Sequence, residues 1–122
     1  MDFMKLISDA CELRKQREIA KRRLLFAGRD TALNKGASHY KQQYASANRK
    51  YEDICQQIRK AINHADDKEA MWAIFFRRVK RMPWDEVRCH LHSNRSEIDV
   101  QLVICRYLRQ HYRNWAAYSD CF

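Results

Sequence analysis

Two long segments of this sequence repeat apolar residues at alternating steps of three and four, and that periodicity constrains the fold more than any other feature. From Asp2 to Ala27 the stripe is Phe3, Leu6, Ala10, Leu13, Arg17, Ala20, Leu24 and Ala27, with Arg17 its single polar member. From Ser38 to Ala65 it is Tyr40, Tyr44, Ala47, Tyr51, Ile54, Ile58, Ala61 and Ala65. Gly28 and Gly36 bracket the polar stretch between them, and glycine readily ends a helix. Each helix is expected to reach roughly 40 Å at 1.5 Å per residue. Matched stripes joined by a short loop fold most simply as an antiparallel hairpin. The Tyr-rich first half of the second stripe faces either the rest of the chain or a second copy, so a homodimer is an expected partner.

Composition narrows the class. Two glycines and one proline in 122 residues argue against a turn-rich sandwich or barrel. A 46% apolar fraction with 3 Trp, 6 Tyr and 5 Phe is enough to bury a core, which excludes wholesale disorder. The longest uncharged apolar run is Ala70 to Phe76, far too short to span a bilayer or to serve as a leader. The expectation is an all-α, soluble protein of the cytoplasm, with no membrane partner. Its formal net charge of +9 favours polyanions, of which nucleic acid is the commonest inside a cell. Cys11, Cys55, Cys89, Cys105 and Cys121 are odd in number and form no CxxC pair, so they read as reduced thiols.

The last half of the chain changes rhythm. Asp66 or Asp67 is placed to cap a third helix from Lys68 to about Arg81, apolar nearly all round from Ala70 to Val79. Pro83 opens a short helix with Trp84, Val87 and Leu91 on one face. After a turn at His92 and Ser93, Asn94 and Glu97 resemble a capping box for a last long helix running to about Tyr112. That helix is expected to bury Ile98, Leu102, Cys105 and Leu108. The tail carries Trp115, Tyr118 and Phe122, which are costly to leave in water and so should pack back or meet a partner. Residues 1–65 thus read as the helical hairpin, 66–112 as a small three-helix unit and 113–122 as an aromatic tail.

Short helix, tight turn, long helix is the helix-turn-helix plan, with Val87 and Leu91 meeting Ile98 and Leu102 at the elbow. The run Phe76-Arg77-Arg78-Val79-Lys80-Arg81-Met82-Pro83-Trp84-Asp85-Glu86-Val87 resembles the stretch that precedes and opens this motif in sigma-factor region 4. The closer resemblance is to small phage late-gene regulators of the RinA, ArpU and LtrC type, over about Ala70 to Leu108. Long N-terminal helices precede the motif in that family, and here the hairpin matches in layout only. The resemblance implies sequence-directed duplex DNA binding by the helix from Asn94, with dimerisation through the long helices. Arg88 stands where those regulators carry a small residue, and His92 and Ser93 where they carry Gly and an apolar residue.

On this reading the base-reading candidates are Arg95, Ser96, Asp99 and Gln101. Glu97 and Asp99 repel phosphate, although a carboxylate accepts from a cytosine amine. The phosphate candidates are Arg77, Arg78, Lys80 and Arg81, beside the motif, together with Arg88. Counted along the chain, basic residues are spread rather than clustered: nine against five acidic in 1–36, five against three in 37–66, ten against seven in 67–122. Cys89, His90 and His92 do not converge as metal ligands, and paired CxxC or HxxxH spacing is absent. No P-loop, GxSxG or HExxH occurs, so neither catalysis nor a cofactor is expected. Two functions remain. One is a phage or mobile-element transcription regulator binding duplex DNA as a dimer. The other is a phage-encoded inhibitor that binds a host protein or a CRISPR nuclease (an anti-CRISPR) through the helical hairpin.

Overall fold

The structure is a computed structural model that describes residues 2–29, 34–91 and 94–119, without the side chains of 28, 29, 34–37 and 119. Its elements are α1 (Phe3–Arg29), α2 (Asn34–Asn63), α3 (Lys68–Ile74), α4 (Trp84–His90), α5 (Glu97–His111) and α6 (Ala116–Ser119). One π-helical turn, Phe75–Val79, prolongs α3. Among the described residues there is no strand, and no helix is long and apolar enough to cross a membrane. The chain divides into two compact units, residues 1–58 and 59–122, with the boundary inside α2.

In the N-terminal unit the two stripes are the inward faces. On α1, Phe3, Ala10, Ala20 and Ala27 are buried and Leu6, Leu13, Arg17 and Leu24 half-buried. Met4 and Ile7, off the stripe, are buried too and widen the apolar face of the first turns. On α2, Tyr51, Ile54, Cys55 and Ile58 are buried, while Tyr40, Tyr44 and Ala47 are half-buried. The Arg17 guanidinium lies 4.1 Å over the Tyr51 ring. This is how the stripe tolerates a cation: the ring face attracts the charge while the stem covers apolar surface. Tyr40 shares a groove with Ile19, Phe26 and Ala27, and Gln16 lies beside Ala47 and Lys50. Later residues of α1 therefore face earlier residues of α2, and the pair is antiparallel.

The glycines do not bound these helices as expected. α1 continues through Gly28 to Arg29, and α2 already begins at Asn34, ahead of Gly36. A helical glycine costs only about 1 kcal/mol relative to Ala, and the helix carries across it. What remains of the expected loop, 30–33, lies outside the described residues.

The C-terminal unit is built around α3. Asp67 stands at its N-cap, but the carboxylate does not cap the helix. It pairs instead with His111 Nε2 at 2.9 Å, tying the start of α3 to the end of α5. Ala70, Met71, Ala73, Ile74, Phe75 and Val79 are buried, as the all-round apolar pattern requires. The helix ends in a wide turn. Lys80 N donates to the Phe75 carbonyl at 3.2 Å, Met82 N to the Phe76 carbonyl at 3.0 Å, and Arg81 takes a left-handed φ of 54°. Glycine normally holds that closing position, and an L-residue with a Cβ pays roughly 1–2 kcal/mol there. Arg77 secures the exit by donating to the Met82 carbonyl at 3.0 Å, with its guanidinium 4.7 Å over Trp84. Pro83, extended at φ −62° and ψ 155°, caps α4, which buries Trp84 and Val87.

The tail folds back on the end of α5. Arg109 lies 4.7 Å over Trp115, and Tyr112 meets Tyr118 edge-on at 5.5 Å. Cys121 and Phe122 lie outside the described residues.

Two expected outcomes follow from this packing. Burial pushes the Tyr51 phenol up to about 12, and Cys55 beside it adds to the shift. The folded chain keeps that proton after the unfolded chain has lost it. The resulting stability is complete below pH 10 and declines as pH rises from there to about 12. Unfolding free energies from pH 9 to 12 should show this decline in the native chain and a weaker one in Tyr51→Phe; equal slopes would contradict it. Arg81→Gly should raise the unfolding free energy by about 0.5–1 kcal/mol, because relief of the left-handed strain exceeds the entropy glycine adds to the unfolded chain. A urea titration that shows a loss instead would refute the strained turn.

Candidate nucleic-acid interface

The corner between α4 and α5 is where reading residues are expected, and it is assembled by three short polar contacts. Arg88 Nε donates to the Arg95 carbonyl at 2.9 Å. The Arg95 guanidinium in turn pairs with Glu69 of α3, Nε to Oε1 at 2.9 Å. Ser96 then takes an extended φ of −71° and ψ of 167°, and its Oγ accepts from Asp99 N at 3.2 Å. Ser96 is therefore the N-cap, and α5 begins at Glu97. The expected capping box of Asn94 and Glu97 does not form, because Arg88 and Glu69 hold residue 95 outside the helix.

Moving the cap from 94 to 96 turns the helix about its axis by roughly 200°, at 3.6 residues per turn. The buried face of α5 is Val100, Ile104, Tyr107 and Leu108. Ile98 and Leu102, expected inside the elbow, point outward at 68% and 46% exposure, and Cys105 is half-buried. Of the residues expected to line the inner face only Leu108 does so. The elbow is instead filled from α4 by Trp84 and Val87 and from α5 by Val100 and Ile104, all buried.

This places the expected site residues unevenly. Arg95 is held by Glu69 and Ser96 is spent on the cap, so neither projects as a reader. Asp99 is exposed on the outer face and Gln101 half-buried at its flank. Among the phosphate candidates, Arg77 is occupied by the Met82 carbonyl and the Trp84 ring, and Lys80 Nζ lies 5.7 Å from the Phe75 ring centre. Arg88 holds the corner and also approaches Asp85 at 3.7 Å. Arg78 is half-buried and Arg81 exposed.

The outward face of α5 is thus Glu97, Ile98, Asp99, Leu102 and Arg106, all exposed. Ile98, Leu102 and Arg106 were not among the expected site residues. The sequence carries no decisive signal for them, since both stripes, Ile98-Leu102-Cys105-Leu108 and Val100-Ile104-Tyr107-Leu108, end on Leu108. Chemically, the face offers carboxylates that accept from an amine, an amide at its flank, and two aliphatic groups.

Beside the corner, Trp72 stacks on Phe76 at 5.3 Å, and the His90 ring lies 5.1 Å from Phe76. Cys89 and His90 are exposed and His92 lies outside the described residues. Among the described residues no three His, Cys, Asp or Glu side chains are grouped to hold a metal ion.

The cap assignment has a direct check. Ser96→Ala should lower the unfolding free energy by about 1 kcal/mol, while Asn94→Ala should change it by less than about 0.5 kcal/mol. The opposite order in thermal or urea unfolding would restore the earlier helix start.

Comparison with family models, with curated proteins and with solved structures finds no match for this chain.

Proposed function

We propose that the protein is a duplex-DNA-binding regulator of the kind encoded by phages and mobile elements, that it works without catalysis of its own, and that α5 is its reading helix. The observation that carries this reading is the division of α5 into two faces. One is fixed against α3 and α4 through Val100, Ile104 and Leu108, and the opposite one is outward from its first turn. A helix-turn-helix unit needs that arrangement to present side chains to a major groove. The readers differ from those the sequence nominates. Gln101 suits adenine, Asp99 suits the cytosine amine, and Ile98 and Leu102 suit thymine methyl groups. Arg81 and Arg106 supply phosphate contacts, and a homodimer formed through the long helices pairs two half-sites.

A second reading is favoured by one specific observation. Ile98 and Leu102 are large, exposed and one turn apart, with carboxylates beside them, which also suits a protein partner with an apolar groove and a basic rim. On that reading the chain is an inhibitor of a host protein, and its corner is a scaffold for protein recognition.

Selection from random duplexes, followed by a salt series, tests the regulator reading. A preferred site should emerge, and Gln101→Ala or Asp99→Asn should relax its sequence preference at a cost of about 1–3 kcal/mol. Changing Arg81 or Arg106 to Gln should weaken all duplexes alike and flatten the salt slope by about one unit per lost contact. A folded chain with no duplex affinity at ~50 mM salt, where basic proteins bind non-specifically, would sink the regulator and favour the inhibitor.

A further inference from the structure

We infer that the tip of the N-terminal helix pair is a separate nucleic-acid site, built to grip a single strand through a groove of Ile19, Arg22, Arg23, Phe26 and Tyr40. It uses no residue of the α5 face and stands independently of the regulator reading.

Charge is the first observation. Along the chain the cations look dispersed, but folding the helices antiparallel gathers them. Between Ile19 and Tyr51 the sequence carries Lys21, Arg22, Arg23, Arg29, Lys35, Lys41, Arg49 and Lys50 against Asp30 alone, whereas residues 1–18 balance four cations with four carboxylates. Lys21, Arg22 and Arg23 on α1 and Lys41, Arg49 and Lys50 on α2 are all exposed. Among the described residues none of these six forms an ion pair. A local excess of cations of that size attracts a polyanion.

The groove is the second observation. It encloses about 390 Å³ between the end of α1 and the start of α2. Phe26 on its wall is 72% exposed. Helix pairing does not call for this ring, since the inward stripe passes through Leu24 and Ala27. An exposed aromatic ring in a groove that Arg22 and Arg23 also line suits an unstacked base and its flanking phosphates, and Tyr40 offers a second ring. Duplex bases are already stacked and would have to be flipped out to reach Phe26. An acidic peptide would meet the same cations but brings no planar base to stack on the exposed Phe26 ring. Stacking on an exposed ring with cations beside it is the mode of single-strand binding.

The test is fluorescence anisotropy on the full chain with a labelled oligothymidine, across a salt series, with a duplex of equal length and polyglutamate as competitors. The single strand should bind, and polyglutamate should compete poorly. Phe26→Ala should weaken binding by roughly fivefold or more without changing the salt slope, and Phe26→Trp should retain it. The double variant Arg22→Gln, Arg23→Gln should lower the slope by about 1.4, at about 0.7 for each charge on a single strand. Circular dichroism melting should be unchanged in each, since all three positions are exposed. Asp99→Asn and Gln101→Ala should leave this affinity intact, so a failure here is distinct from a failure of duplex reading. Native binding by Phe26→Ala, or polyglutamate competing as well as the single strand, would overturn the inference.

Discussion

The C-terminal unit depends on how residue 95 is held. The Arg88 side chain takes its carbonyl, Glu69 takes its guanidinium, and residue 95 is thereby kept out of the helix that Ser96 caps. Everything downstream follows from that delay. With the first helical residue at Glu97, the apolar residues that meet α3 and α4 are Val100, Ile104, Tyr107 and Leu108. The same shift turns Ile98 and Leu102 to the outside. The partners that impose it are half-exposed rather than deeply buried, so the tie costs little desolvation and contributes at most about 1 kcal/mol. Its importance lies in register: it selects between two helix faces of nearly equal hydrophobicity.

That near-equality also explains what the sequence disclosed and what it hid. The long helices were legible because their stripes contain one kind of alternation over eight positions each, and burial of Phe3, Ala10, Ala20, Tyr51, Ile54 and Ile58 matches it. The all-round apolar character of α3 and the Pro83 start of α4 were legible for the same reason: few residue types suit those places. The start of α5 was ambiguous. Asn94 with Glu97 and Ser96 with Asp99 are both sound capping pairs, and the choice was made by Arg88 and by Glu69, a residue distant in sequence. The π turn and the left-handed Arg81 left no trace at all, since neither glycine nor proline marks them. Arg88, where the resemblance calls for a small residue, braces the elbow.

The candidate site was harder to see than the fold for a related reason. Several arginines that look available in the sequence are occupied by their own chain: Arg77 by Met82 and Trp84, Arg95 by Glu69, Arg88 by the turn. Other cations, without an ion pair among the described residues, lie on the N-terminal helix pair, where the antiparallel run of α1 and α2 unites two segments that a linear count keeps apart. On the proposed reading the two units therefore divide the work, with α5 supplying discrimination and the hairpin tip supplying a less selective grip on phosphate and exposed bases.

The rotation of α5 is the claim on which both the fold of this unit and the choice of reading residues rest. It is tested most directly by comparing the unfolding free energies of two neighbouring truncations, Ile104→Ala and Leu102→Ala. The buried Ile104 should cost about 2–5 kcal/mol, and the outward Leu102 no more than about 0.5 kcal/mol. A large loss at Leu102 with little change at Ile104 would mean that the helix begins at Asn94 after all and that its faces are exchanged.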